Sequence, residues 1–243
     1  MSSFYNASIR VNANYAIYSE IAIQNYYDAL TRSESLDFDD PSVMLEAKRS
    51  IMRSLMQTHV FAAMAIESYL NSFISGCIGD DEYYSNYDSL NIIAKLDLVK
   101  RFIFSDESSD SEPVFTRTRE LQKLRNDLVH NKPNSSNLSL NEEDYVPDGV
   151  IDIEQLFDDT IADCRQSIDE NIRQGKKTLK AIAGLAEYID KHDENAYAKI
   201  NLFWPAIFGS KENYRNRAIL KVYPIIGVKF EDRTVEWESG IQQ

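Results

Sequence analysis

Residues 41–76 read PSVMLEAKRSIMRSLMQTHVFAAMAIESYLNSFISG. Ile51, Leu55, Ala62, Ile66, Tyr69, Leu70 and Phe73 recur at steps of three, four and seven, which is the spacing of one buried stripe on an α-helix. Proline fits the first turn of a helix, where its missing N–H costs nothing, so Pro41 marks the start with Asp40 as the expected N-cap. Gly76 and Gly79 mark the expected end. A second set, His59, Ala63, Glu67 and Asn71, repeats every four residues beside the apolar stripe. Such a polar seam lies either where a bundle meets water or where the helix faces a site on a neighbour.

Working outward, the same period governs most of the chain. Residues 9–31 carry Ile9, Ala13, Ala16, Ile17, Ile21, Ile23 and Ala29 at helical spacing, and the polar turn SESLDFDDP separates them from Pro41. Downstream, DDEYYSNYDS reads as a tyrosine-rich loop, with Ser89 capping a helix over 90–104. SDESSDSEP is an acidic, solvated connector. A helix is expected from Val114 to Asn131, stopped by Pro133, followed by a long loop over 132–150. A last long helix is expected over 153–190, broken or softened at Gly175 and Gly184. Residues 193–209 suggest one more helix, and Val228, Phe230, Val235 and Trp237 alternate around Glu231-Asp232-Arg233 as a short hairpin would. The expectation is an all-α, up-and-down bundle of about five long helices. The bundle occupies 1–192, and 193–243 forms an extension packed on it.

Composition agrees with an ordered helical domain: 43% hydrophobic, 27% charged, with only 8 Gly and 6 Pro in 243 residues. That excludes a disordered chain. The start, MSSFYNASIR, lacks the apolar run of a signal peptide, and no run of about 18 apolar residues suggests a membrane span. The expected location is therefore the cytoplasm, with no membrane partner. Cys77 and Cys164 read as two buried thiols in a reducing compartment, with neither a disulfide nor a metal site. No phosphate-cradling glycine loop, nucleophile elbow or dinucleotide fingerprint is present, and no cofactor is expected. The formal charge of −13 repels phosphate backbones. The acid, however, concentrates at 80–88, 105–112 and 142–159. Bases gather at Arg173, Lys176, Lys177 and Lys180, and again at Lys211, Arg215, Arg217 and Lys221. Tyr214 and Tyr223 are interleaved with the second group, where they would stack on bases if that group met RNA.

Residues 121–133, LQKLRNDLVHNKP, hold the one concentration of chemically useful side chains. Arg125, Asn126 and His130 within R-N-D-L-V-H resemble the R-X4-H signature of HEPN domains. The upstream AIESYLNSF at 65–73, with Glu67 and Asn71, resembles a helix common in that family. The resemblance covers about residues 10–190. It implies a helical bundle and, in the family's active members, a metal-independent endoribonuclease. Many of these are toxins or antiphage-defence effectors. It further implies a homodimer whose two protomers line the cleft, an RNA substrate, and an antitoxin or defence-system partner protein.

Carried onto these residues, His130 would move protons as a ribose 2′-hydroxyl attacks the adjacent phosphate, which suits an imidazole. Arg125 would bind that phosphate through its planar fork. Asn126 would position one of the two groups or the substrate, and Lys132 would be an RNA contact. Glu67, Asn71 and His59 would support the site. Lys132 stands where some family toxins carry a modifiable tyrosine, so silencing by tyrosine modification is not implied. A purely structural reading stands beside this one: Arg125 paired with Glu67, and His130 serving only as a favourable charge at a helix C-terminus. His192, in the polar run DKHDEN, reads as a surface residue. Three functions follow in order: a ribonuclease, a non-catalytic HEPN binding or assembly module, and a helical scaffold.

Overall fold

In the computed structural model, residues 14–36, 41–107, 113–130, 153–193, 196, 198–203 and 214–228 are described. Their regular elements are helical: α1 (Tyr15–Glu34), α2 (Pro41–Ile78), α3 (Asp80–Asn86), α4 (Ile92–Leu98) leading into a π-turn (Val99–Ile103), α5 (Pro113–His130), α6 (Ile153–His192), α7 (Ala198–Phe203) and α8 (Tyr214–Ile226). No strand occurs among the described residues. The all-α expectation holds. The expected hairpin lies outside the described residues except for Val228, which is buried.

Side-chain pairings give the helix directions. Tyr15 packs on Tyr69 and Tyr18 on Phe61, while Arg32 hydrogen-bonds Ser50, so α1 and α2 run antiparallel. Phe115 packs on Tyr188 and Arg117 lies beside Gly184, so α5 and α6 are antiparallel too. By contrast Lys48 meets Cys164, Leu55 meets Gly175 and His59 meets Thr178, so α2 and α6 run parallel. The four long helices therefore alternate up, down, up, down. Their shared core runs through Tyr26, Ile51, Leu55, Ile66, Leu70 and Phe73 to Leu179, Ile182, Leu185 and Ile189. Each such side chain contributes about 1.5–3 kcal/mol by leaving water. Leu202 and Phe203 of α7, and Ala218 and Val222 of α8, belong to the same core.

The second helix behaves as its pattern requires: every residue of the apolar stripe is buried. It starts at Pro41 and ends at Ile78, before Gly79 at φ +94, a left-handed value that glycine adopts without penalty. This helix is also long and apolar enough to cross a membrane by length and composition: an 18-residue window within Val43–Ile78 has mean hydropathy 1.2, and half of that window is buried in the bundle.

Several local expectations need correction. Residues 80–86 form a helix rather than a loop. Asp80, Asp81 and Glu82 sit in its first turn, where the N-terminal dipole favours negative charge, and Tyr83 is buried as its anchor. The next helix is capped by Asn91, not Ser89: the Asn91 carboxamide oxygen accepts from the N–H groups of Ile93 and Ala94 at 3.0 Å each. α6 passes unbroken through Gly175 and Gly184. Gly175 is a contact point, because a β-carbon there would lie 2.8 Å from both Leu55 Cδ2 and Tyr26 Cδ2. The expected 193–209 helix is the six-residue α7 over its described part, its first N–H bonded to the Asp190 carboxylate at 2.5 Å. α8 had no counterpart in the pattern reading. Cys164 is buried as expected, whereas Cys77, near the end of α2, is exposed.

Candidate functional site

The N-terminal half of α5 is held by burial of Val114, Phe115, Thr118 and Leu121. In its second half the grip loosens: Leu124 and Leu128 are half-buried and Val129 is exposed. The signature residues lie on this looser half. Arg125 and Asn126 are half-buried, and Arg125 Nη1 donates to Asn126 Oδ1 at 3.1 Å. His130 is the last residue of α5 and is exposed. One turn before Asn126, the Gln122 side-chain oxygen is buried with no hydrogen-bond partner among the described residues.

Because α5 is helical throughout 113–130, Arg125 and His130 leave its axis about 140° apart. One helix cannot aim both at the same atom. The bend or end that would let them converge would have to fall at 131–133, outside the described residues, as does Lys132.

The α2 seam turns inward to other partners. His59 is 5% exposed, and its Nδ1 lies 2.8 Å from the Thr178 hydroxyl of α6. Burial pushes its pKa down to about 4, so it is neutral in the folded protein. Glu67 faces Lys95 of α4 at 3.8 Å, not Arg125. Asn71 accepts from the Tyr83 hydroxyl at 2.7 Å. The structural alternative in which Glu67 neutralises Arg125 is thereby replaced: the buried cation Glu67 serves is Lys95. That ammonium is 1% exposed and donates to the Asp88 carbonyl oxygen at 2.8 Å. Burial lowers the Lys95 pKa, and the nearby Glu67 and Asp88 charges pull it back. A buried lysine has no recognisable signature in sequence, and the helical period placed Lys95 on no particular face.

His192 is not a loose surface residue. Its ring stacks on Phe104 at 4.9 Å, its Nδ1 donates to the Tyr188 carbonyl oxygen at 2.8 Å, and its Nε2 lies 3.5 Å from Asp106. The same carboxylate accepts from the Tyr188 hydroxyl at 2.9 Å. This cluster pins the segment after the π-turn to the end of α6. The i, i+4 spacing of Tyr188 and His192 was legible, but not the distant Phe104 and Asp106 that complete the cluster.

The second basic group is partly spoken for. Lys221 pairs with Glu34 of α1 and lies over the Tyr27 ring at 5.9 Å, while Tyr223 is buried with its hydroxyl donating to the Phe203 carbonyl oxygen at 3.3 Å. Tyr223 is therefore not available for stacking. Arg217 is exposed. Lys211 and the side chains of Tyr214 and Arg215 lie outside the described residues. In the first group, Arg173 pairs with Glu170 at 3.2 Å on the surface. An open groove along α6, between Ile161 and Arg173, includes no residue of α5. Among the described residues no three His, Cys, Asp or Glu side chains cluster as metal ligands would.

No protein-family model, curated protein or solved structure matches the chain.

Proposed function

We propose that the chain is a metal-independent endoribonuclease of the HEPN kind, acting in the cytoplasm as a toxin or antiphage-defence effector, with its site formed between two copies. The observation that carries this reading is the state of Arg125. It is half-buried on the loosely held half of α5, its partner among the described residues is the neutral side chain of Asn126, and Glu67 faces Lys95. An arginine kept for structure is ordinarily neutralised by a carboxylate, because burying an unpaired charge is costly. One held by a neutral amide retains its charge for a phosphate.

In this reading Arg125 holds the scissile phosphate and stabilises charge growing on its oxygens. His130, exposed one and a half turns on, takes the 2′-hydroxyl proton or returns one to the leaving 5′-oxygen. Asn126 keeps the guanidinium fork in place. General acid–base assistance of this kind contributes about 10²–10⁴-fold in rate. The test is cleavage of labelled single-stranded RNA and a tRNA pool in EDTA by wild type, Arg125→Ala and His130→Ala. Expected are 2′,3′-cyclic phosphate ends from wild type and no cleavage from either folded variant. Cleavage by the variants at the wild-type rate would overturn the assignment.

The second reading, a non-catalytic HEPN binding or assembly module, draws on exposed Val129 beside His130 and on the divergence of Arg125 and His130 along an unbroken helix. It predicts no cleavage under any of these conditions, and self-association that Val129→Asp disrupts.

A further inference from the structure

We propose that Cys164 is an oxidation site whose sulfenic acid is captured by Lys48, closing a reversible covalent cross-link between α2 and α6. Cys164 is 7% exposed. Lys48 Nζ lies 3.7 Å from its sulfur, across the interface of two helices that meet 116 residues apart in sequence. The chain has only two cysteines. Cys77 lies far along α2 from Lys48, about 44 Å at the rise of an α-helix. A disulfide needs Cα atoms within about 7 Å. Oxidised Cys164 therefore has no thiol of its own chain to resolve it, and among the described residues the amine beside it is the nucleophile in reach.

The oxidant is a hydroperoxide, hydrogen peroxide being the smallest. The Cys164 sulfur attacks one peroxide oxygen, the O–O bond breaks, and the departing hydroxide leaves as water with the thiol proton. Sulfur has lost two electrons and peroxide has gained them. Lys48, having released its extra proton to solvent, attacks the sulfenic sulfur through Nζ. The S–O bond breaks, the hydroxyl leaves as a second water with an N–H proton, and an S–N bond remains. This is the sulfenamide chemistry known for sulfenic acids and nitrogen nucleophiles. Burial favours it over capture by a bulky cellular thiol, and a nucleophile already in place reacts as though highly concentrated. A small dithiol such as dithiothreitol attacks the sulfur, releasing the Lys48 amine with its proton and leaving a mixed disulfide, and its second thiol then closes on that disulfide to free the Cys164 thiol.

The experiment treats the full chain with hydrogen peroxide and reads intact mass and a tryptic map before and after dithiothreitol. The expected product has lost two hydrogens, yields one peptide joining Lys48 to Cys164, and reverts on reduction. Lys48→Arg, which keeps the cation, should give no such peptide and should instead carry Cys164 to sulfinic acid. Recovery of Cys164 as free thiol or sulfinic acid in the wild-type map, with far-UV circular dichroism showing intact helix, overturns the proposal. That arm does not depend on the variant folding.

Discussion

Lowering the pH from 7 to 5 should destabilise this bundle through His59, and the size of the effect can be worked from its surroundings. The imidazole is 5% exposed, lies 2.8 Å from the Thr178 hydroxyl, and has its pKa pushed by burial from 6.5 to about 4. Between those values the unfolded chain binds the proton and the folded chain does not. Stability is therefore complete above the unfolded pKa and is lost as pH falls from 6.5 towards 4. Each pKa unit is worth about 1.4 kcal/mol, so the loss between pH 7 and 5 is about 2 kcal/mol. Carboxylates titrate in the same range, so the measurement is a difference. Urea unfolding followed by far-UV circular dichroism is run at both pH values for wild type and His59→Gln, whose amide can still meet Thr178 but does not titrate. Wild type should lose about 2 kcal/mol more than the variant. Equal losses would mean that His59 accepts its proton inside the fold, and the argument from its burial would be wrong.

The two glycines of α6 should respond oppositely to alanine. Gly175→Ala puts a methyl group 2.8 Å from Leu55 and Tyr26, and should cost about 1–3 kcal/mol by overpacking. Gly184→Ala meets only Arg117 Nη1 at 3.5 Å, and should gain about 0.5–1 kcal/mol from helix propensity; thermal unfolding of both variants checks the signs. Asn91→Ala removes the acceptor for two backbone N–H groups and should cost about 1 kcal/mol in the same assay.

The fold was legible where burial and period coincide. On α2 a single stripe runs without conflict, and Pro41 and Gly79 bracket it, so its limits could be read to within two residues. Gly175 was misread because propensity penalises glycine in a helix, while close packing against Tyr26 and Leu55 requires the absence of a β-carbon at that point. α3 was misread because its seven polar and aromatic residues offer no apolar period. Its helix depends on acids in the first turn and one buried tyrosine, which are tertiary and electrostatic terms. α8 was missed for a related reason: with Pro224 near its end, its stripe of Ala218, Val222 and Ile226 is short and gains meaning only against α1 and α6. At the candidate site, the side chains Arg125, Asn126 and His130 were visible as residue types on one helix. The assignment of Glu67 was not, because it depends on Lys95, a cation that α4 carries into the core.

What α5 lacks determines how its chemistry would have to be assembled. Arg125 and His130 diverge along one helix, and the α2 seam is committed to Thr178, Lys95 and Tyr83, so one copy does not supply a complete constellation from its described residues. The proposed two-fold pair of copies supplies one if the arginine of one copy faces the histidine of the other. The consequence can be measured by mixing two dead variants. In a heterodimer of Arg125→Ala with His130→Ala, one composite site loses both groups and the other keeps both. An equimolar, freely exchanging mixture contains about half heterodimers, each with one good site, and should recover about a quarter of wild-type cleavage. Activity of wild type should also fall faster than concentration on dilution, as dimers dissociate. If the mixture remains as inactive as either variant alone while both variants exchange subunits, Arg125 and His130 do not complete a site across two copies. Any chemistry they perform would then have to be assembled within one chain, with residues beyond His130 turning the histidine back towards the arginine.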